Sequence, residues 1–287
     1  MGQTVLNLRT VGGKQYPPHA FFSDIEGDAD DIYSRITVPV KDDGLVEEFT
    51  SNFSLKRQNK PGLSVVIPFP DESFNLDKMI EVAIANYFYP MVTGQLVLVF
   101  NDVVIDASNV RVMAKQYASG RFNQIDPLFD FIEEVYRAEQ AEHLHLKPSW
   151  MKDEKLDEDD FDGQDLEQIR DRFSKGELVG VVLPVVVKPK KAPNIESGFS
   201  VYIKRPDELT QGVDLYVRGG LTLPKEAKFG DRKALGAMIA EEEAICAFLG
   251  DAENAAHTRW TTNTEKLRRN YRSSQALISV IKKSVVQ

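Results

Sequence analysis

Glu253, Asn254, His257 and Trp260 fall in DAENAAHTRW (251–260), the densest polar and aromatic cluster of the chain. Their spacing by three and four residues is helical and would gather them on one face. An imidazole oriented by a carboxylate is the arrangement of a general base. No nucleophile stands beside it in the sequence. The structural reading therefore leads: a corner between helices, tied by hydrogen bonds and plugged by Trp260. An enzyme centred on His257 and Glu253 is the weaker alternative.

Other reactive residue types are sparse. Arg218, in YVRGG (216–220), precedes two glycines and reads as the end of a strand in a tight turn, with anion contact as the alternative. His143 and His145 stand near Glu139 and Glu142; two apart, they share no face on a helix but would on a strand, where a metal site could form. Nothing completes a ligand set, so both are read as surface histidines. The acidic run from Asp157 fails as a calcium loop, because Asp162 takes the glycine position and Gln168 the glutamate position. The chain has no H-E-x-x-H, C-x-x-C, G-x-S-x-G, G-x-x-x-x-G-K-[ST] or G-x-G-x-x-G. Cys246, the one cysteine, forms no internal disulfide. It lies in an apolar helical pattern, reads as an inert buried thiol, and suits a reducing, cytoplasmic setting.

Acidic residues outnumber basic ones, 44 to 35, for a net charge of −9. That balance gives no support to a chain that coats nucleic acid. Three local basic clusters remain: Lys56, Arg57 and Lys60; Lys188, Lys190 and Lys191; Arg268, Arg269 and Arg272. Each reads as solvated surface, with phosphate contact as the alternative. No apolar run approaches the roughly 18 residues of a membrane span. MGQTVLNLRT lacks the basic and apolar regions of a secretory signal, and Leu6 stands where myristoylation needs Ser or Thr. A membrane is not an expected partner.

The elements that must position these residues follow from periodicity. Residues 1–60 mix short strands, at 5–8 and 32–40, with a loop at 12–19, a buried Phe21-Phe22 pair and a short helix over 44–53. Leu63 to Phe69 is a solid apolar strand. A helix follows, capped by Ser73 or Asn75, carrying Leu76, Ile80, Ile84 and Phe88, and ended by Pro90. Gly94 to Phe100 is a second apolar strand that turns at Asn101-Asp102 into a hairpin. With the preceding helix the two apolar strands make a β-α-β unit. A further helix carries Ile125, Leu128, Phe129, Ile132, Val135 and Tyr136. Residues 151–176 are acidic and form a linker or exposed helical connection. Strands are expected at 178–187, 199–204 and 213–223. Two helices close the chain, one holding Leu235 to Leu249 and one running from about Thr264 through Tyr271 to Ile281.

The fold class is therefore α+β, with mixed sheets, helices packed on one face and two αβ domains. The expected divisions are 1–70, 71–150, the linker 151–176, and 177–287.

KRQNKPGLSVVIPFP (56–70) runs from a basic turn through Gly62 straight into the apolar strand. PGLSVVIPFP resembles the closing element of the GHKL ATP-binding fold of gyrase, MutL, histidine kinases and the ninety-kilodalton heat-shock chaperones. In that family a Gly-Thr step precedes the last apolar strand of the nucleotide domain. Gly62 matches the glycine, whereas Leu63 replaces the threonine and a hydroxyl follows only at Ser64. MGQTVLNLR, the F-x-x-x-F-x-L-x-R segment from Phe49 to Arg57, YVRGGLTL and DAENAAHTRW extend the likeness over most of the chain.

The resemblance implies a transducer-like α/β region behind the strand. It also implies that Lys56, Arg57, Lys60, Gly62 and Ser64 border the phosphates. The family's catalytic Asn with its acidic general base, and its D-x-G-x-G adenine loop, are absent before Gly62. The chain then resembles the tail of a nucleotide domain plus the domains behind it. It would be a truncated or split protein, with Met1 an internal methionine. It would be at most an ATPase fragment, taking ATP and Mg only with the missing region. Its function would be to relay nucleotide state to a protein partner or downstream domain, with a homo-oligomer as a further partner class. The alternative is an acidic interaction module independent of nucleotide.

Overall fold

A computed structural model describes residues 2–5, 10–15, 19–28, 31, 34–56, 61–67, 72, 74–122, 124–138, 143–153, 156–223, 229 and 232–286. The chain divides into two units, Met1–Asp71 and Glu72–Gln287.

The first unit is made of short pieces: β1 (Gly2–Val5), β2 (Thr10–Val11), β3 (Lys14–Gln15), β4 (His19–Phe22), β5 (Asp24–Glu26), β6 (Ile36–Val38) and α1 (Asp43–Asn52). β1 pairs with β4, β2 with β3 and β5 with β6, all antiparallel. The Asp42 carboxylate caps α1 by accepting from the Leu45 N–H at 2.9 Å. Leu45, Val46, Phe49 and Phe53 share a helix face at the expected spacing, yet all four are exposed. Phe22, expected inside, is also exposed.

The apolar strand expected over Leu63 to Phe69 does not form among the residues of it that are described. Its described part, Leu63–Ile67, has irregular backbone, and Leu63 and Val65 are 85% and 73% exposed. β-branched composition favours a strand only where a neighbour supplies a ladder and a covered face. No described strand does so here, and the β-α-β unit fails with it.

The second unit holds α2 (Leu76–Val92), β7 (Leu98–Phe100), β8 (Val103–Ile105), α3 (Val110–Tyr117), α4 (Ile125–Arg137), β9 (Leu144–His145), α5 (Gly163–Ser174), β10 (Val179–Val187), β11 (Ile195–Lys204), β12 (Val213–Arg218), β13 (Leu221–Thr222), β14 (Leu235–Ala240), α6 (Glu243–Ala252), α7 (Glu265–Asn270) and α8 (Ser274–Ile281). Short 3-10 turns at Pro148–Asp153 and Glu158–Asp160 precede α5, whose Ile169 and Phe173 pack half-buried against the core.

Asn75 caps α2, accepting from the N–H groups of Asp77 and Lys78. Pro90 does not end this helix, which runs on to Val92. In the last turn a proline removes a single hydrogen bond, and the helix survives it. β7 and β8 form the expected hairpin, with Asn101 at φ 55 in the turn.

Six strands make one mixed sheet in the order β13-β12-β14-β11-β10-β9. β12 runs parallel to β14 and β9 parallel to β10; the other pairs are antiparallel. Side chains alternate with period two. Val181, Leu183, Val185, Val201, Tyr216 and Met238 join the core with α6, α7 and α8. Tyr202, Leu215, Val217, Leu235, Ala237 and Ile239 join the core with α2, α3 and α4. The class is α+β, and helices cover both faces of this sheet where one covered face was expected.

Residues 235–240, expected within a helix, form β14 near the middle of the sheet. LGAMIA is buried on both faces, so no apolar alternation survives to mark it as a strand. The final helix is two helices. The break falls at Tyr271–Ser273, where Pro189 bridges Tyr271 and Ser273 has φ 52. No helix of the described residues is long and apolar enough to cross a membrane.

Candidate functional site

The C-terminal ends of the parallel strands β12 and β14 lie side by side, with Arg218 opposite Ala240. Beyond Arg218, Gly219 and Gly220 take φ 52 and 80, and the chain turns back into β13. A side chain at either position would be strained there. Beyond Ala240 the chain enters α6, which ends at Ala252 and delivers Glu253 to the same place.

The residues after α6 are not helical. Glu253 and Trp260 face each other as an isolated antiparallel bridge, and Asn254 folds the loop between them. Its side-chain oxygen accepts from the Thr258 N–H at 2.9 Å and the Arg259 N–H at 3.3 Å. His257 sits in this loop at φ 51, a conformation uncommon for a residue other than glycine. Trp260 is buried edge-on against Tyr216, ring centroids 6.0 Å apart. Its carbonyl accepts from the Lys282 ammonium at 3.0 Å. The sequence expectation of a hydrogen-bonded corner plugged by Trp260 is met, although the connection is a turn and not a continued helix.

At the centre lies the Glu253 carboxylate, 1% exposed. Arg218 grips it with two donors: Nε to Oε1, and Nη2 to Oε2 at 3.0 Å. His257 Nδ1 approaches Oε2 at 2.6 Å from a ring that is 62% exposed. An ionised carboxylate only accepts, so the proton of that contact belongs to Nδ1, and Nε2 is left as the ring's other polar atom. Both carboxylate oxygens are thus engaged by cationic or imidazole donors, the strong charge-assisted kind.

Cys246 borders this arrangement. Its thiol donates to the Ala240 carbonyl at 3.2 Å, and burial pushes its pKa up, with the nearby Arg218 charge opposing. The thiol is half-buried, where a buried one was expected, and its raised pKa keeps it from the nucleophilic thiolate form. Among the described residues no hydroxyl or thiol hydrogen-bonds to the His257 ring. The cluster is built as a clamp: it ties the β12 end, the α6 end and the following loop into one corner.

The other expected residues fall elsewhere. Arg57 and Lys60 lie outside the described residues. Lys56 is exposed beyond α1, Gly62 has φ 135, and Ser64 is half-buried in the irregular stretch. His143 is buried, not superficial: it packs edge-on to Tyr202, and a Cβ on Gly180 would come within 2.5 Å of its ring. His145 is exposed. A cleft of about 270 Å³ opens beside His143, lined also by Glu134, Arg137 and Arg172. No group of three or more metal-ligating side chains occurs among the described residues.

Sequence reasoning paired Glu253 with His257 and noted Arg218 separately. It missed that Arg218 completes the pair. The signal available was the position of Arg218 at a strand end before two glycines, a place where loops build sites. Compared with protein-family models, curated proteins and solved structures, the chain matches none of them.

Proposed function

We propose that this chain is an incomplete, non-catalytic portion of a GHKL-type ATPase that relays nucleotide state to a partner or downstream domain. One observation carries the reading. The first unit exposes Phe22, Ile25, Ile36, the α1 face Leu45, Val46, Phe49 and Phe53, and then Leu63, Val65 and Ile67. None of its residues whose burial is described is buried. Exposed apolar side chains in that number suit a surface built to be covered. A remnant of a nucleotide-domain sheet would expose such a face toward the part that completes it.

The residues at hand do not build an ATP site by themselves. Gly62 permits a close backbone approach, but Leu63–Ile67 is not the strand that would hold it against a phosphate. ATP and Mg then require motifs supplied from outside this chain. The tight Arg218–Glu253–His257 corner supports the output half of the reading, because a relay needs a body that moves as a unit.

The test is recovery of the tagged full chain from its own cells, with identification of the proteins that come with it. The expected companion carries an acidic-x-x-x-Asn helix and a D-x-G-x-G loop, and Leu45→Asp with Phe49→Asp loses it. A companion without those motifs, or one retained by the double variant, contradicts the reading and favours the nucleotide-independent module.

A further inference from the structure

Two of the basic clusters meet in the fold. Lys188, Lys190 and Lys191 lie between β10 and β11; Arg268 and Arg269 lie in α7, and Arg272 comes just after it. The Lys190 N–H donates to the Asn270 carbonyl and the Arg272 N–H to the Lys188 carbonyl, both at 2.8 Å. Pro189 bridges Tyr271 between them. Residues 78 apart in sequence thus become adjacent.

All six cations are exposed. Their side-chain partners are neutral oxygens: Lys190 Nζ donates to the Arg268 carbonyl, Arg269 Nε to Asn270 Oδ1, and Arg272 Nη2 to Asn194 Oδ1. Among the described residues none of the six is ion-paired. Elsewhere in the second unit Lys78, Arg111, Lys115, Arg121, Lys204 and Arg218 each hold a carboxylate. Of the acids near the patch, Asp251 is engaged by the Asn270 amide at 2.7 Å, and Glu265, one turn before Arg268 and Arg269 on α7, forms no ion pair with them. Six clustered, unneutralised cations on a chain of net charge −9 call for an anionic partner.

The patch's own composition selects among anions. A protein interface has apolar and aromatic anchors at its centre, and a membrane site needs an apolar face to insert. Within the described segments that carry the patch, 188–195 and 265–273, Ile195 is the one exposed large apolar side chain. A phosphodiester backbone needs only charge and donors. We propose that Lys188, Lys190, Lys191, Arg268, Arg269 and Arg272 form a binding site for a nucleic-acid backbone, contacting phosphates without reading bases. This inference is independent of the nucleotide-relay reading.

Fluorescence anisotropy with a short labelled single-stranded RNA and a short DNA duplex tests it on the full chain. Binding is expected with Kd of about 10⁻⁴–10⁻⁶ M, falling with salt at a log–log slope of about −3 to −5. Lys188→Gln, Lys191→Gln and Arg269→Gln together spare the two side chains that hold Arg268 and Asn194. This variant is expected to bind at least about tenfold more weakly with a slope shallower by about 2–3. Thermal melting by circular dichroism confirms that it is folded. Should it not fold, Lys191→Gln and Arg269→Gln singly each flatten the slope by about 1. Unchanged affinity in folded variants overturns the proposal. So does absence of binding to both nucleic acids, or tighter binding to phosphatidylserine vesicles or polyglutamate.

Discussion

Glu253 bears the strongest local constraint. A buried carboxylate held by Arg218 becomes costly to disturb from one side, because the partner charge is left without its counterpart. Glu253→Ala is expected to lower unfolding free energy by about 3 kcal/mol in urea titrations. His257→Ala, which removes only the exposed ring, is expected to cost less than about 1 kcal/mol. Equal losses would mean that the imidazole and not the guanidinium holds the corner. Arg218→Met with Glu253→Leu together is expected to cost less than Glu253→Ala alone, since no uncompensated charge remains.

A second residue-scale effect is alkaline. Burial raises the pKa of the Tyr89 and Tyr202 phenols above the ordinary value of 10.0, with the Glu241 charge adding to it. In the unfolded chain they ionise near 10 while the folded chain keeps them protonated, so the folded state binds more protons. Stability is complete below pH 10 and declines as pH rises above it. Tyr89→Phe is expected to flatten that decline in melting curves taken between pH 9 and about 11.5; an unchanged slope would place the effect elsewhere. The Glu253–His257 pair was legible in sequence because four residues separate it. Arg218 was not, because its partner lies 35 residues on and only the parallel pairing of β12 with β14 brings them together.

At the scale of elements, β14 is the piece whose environment leaves least freedom. It lies between β12 and β11 with every residue buried. A Cβ on Gly236 would stand 2.5 Å from Val285 Cγ1 and 2.9 Å from the Phe229 ring. Gly236→Ala is expected to destabilise by about 1–3 kcal/mol through overpacking, read as a lower urea midpoint. A neutral or stabilising result would mean that the β14 face against Val285 is loosely packed. This burial also explains why the strand was unreadable. Helix and central strand both appear as unbroken apolar runs, and LGAMIA runs straight into the pattern of α6. Leu63–Ile67 misled in the opposite sense: its composition is that of a strand, but a strand exists only by its neighbours. The amphipathic helices α2 and α4, with Asn75 capping the first, were legible because their spacing and cap are local properties.

The whole molecule has an uneven distribution of core. Both buried clusters lie entirely within Glu72–Gln287, and no residue of Met1–Asp71 whose burial is described is buried. A fragment of residues 72–287 is therefore expected to unfold cooperatively with nearly the midpoint of the full chain. A large loss of midpoint would show that the first unit supports the second. The class of fold was legible because strand and helix signals alternate along the second unit. The joining of two basic clusters was not, since it depends on where the loop after β10 meets the break between α7 and α8.

The proposed relay requires that nucleotide binding depend on motifs contributed by a companion protein. Calorimetric titration of Mg-ATP into the chain alone, then into the chain together with the companion recovered from its own cells, tests this most directly. The expected result is no binding by the first and micromolar binding by the second. Micromolar binding to the chain alone, or none to the pair, would contradict it.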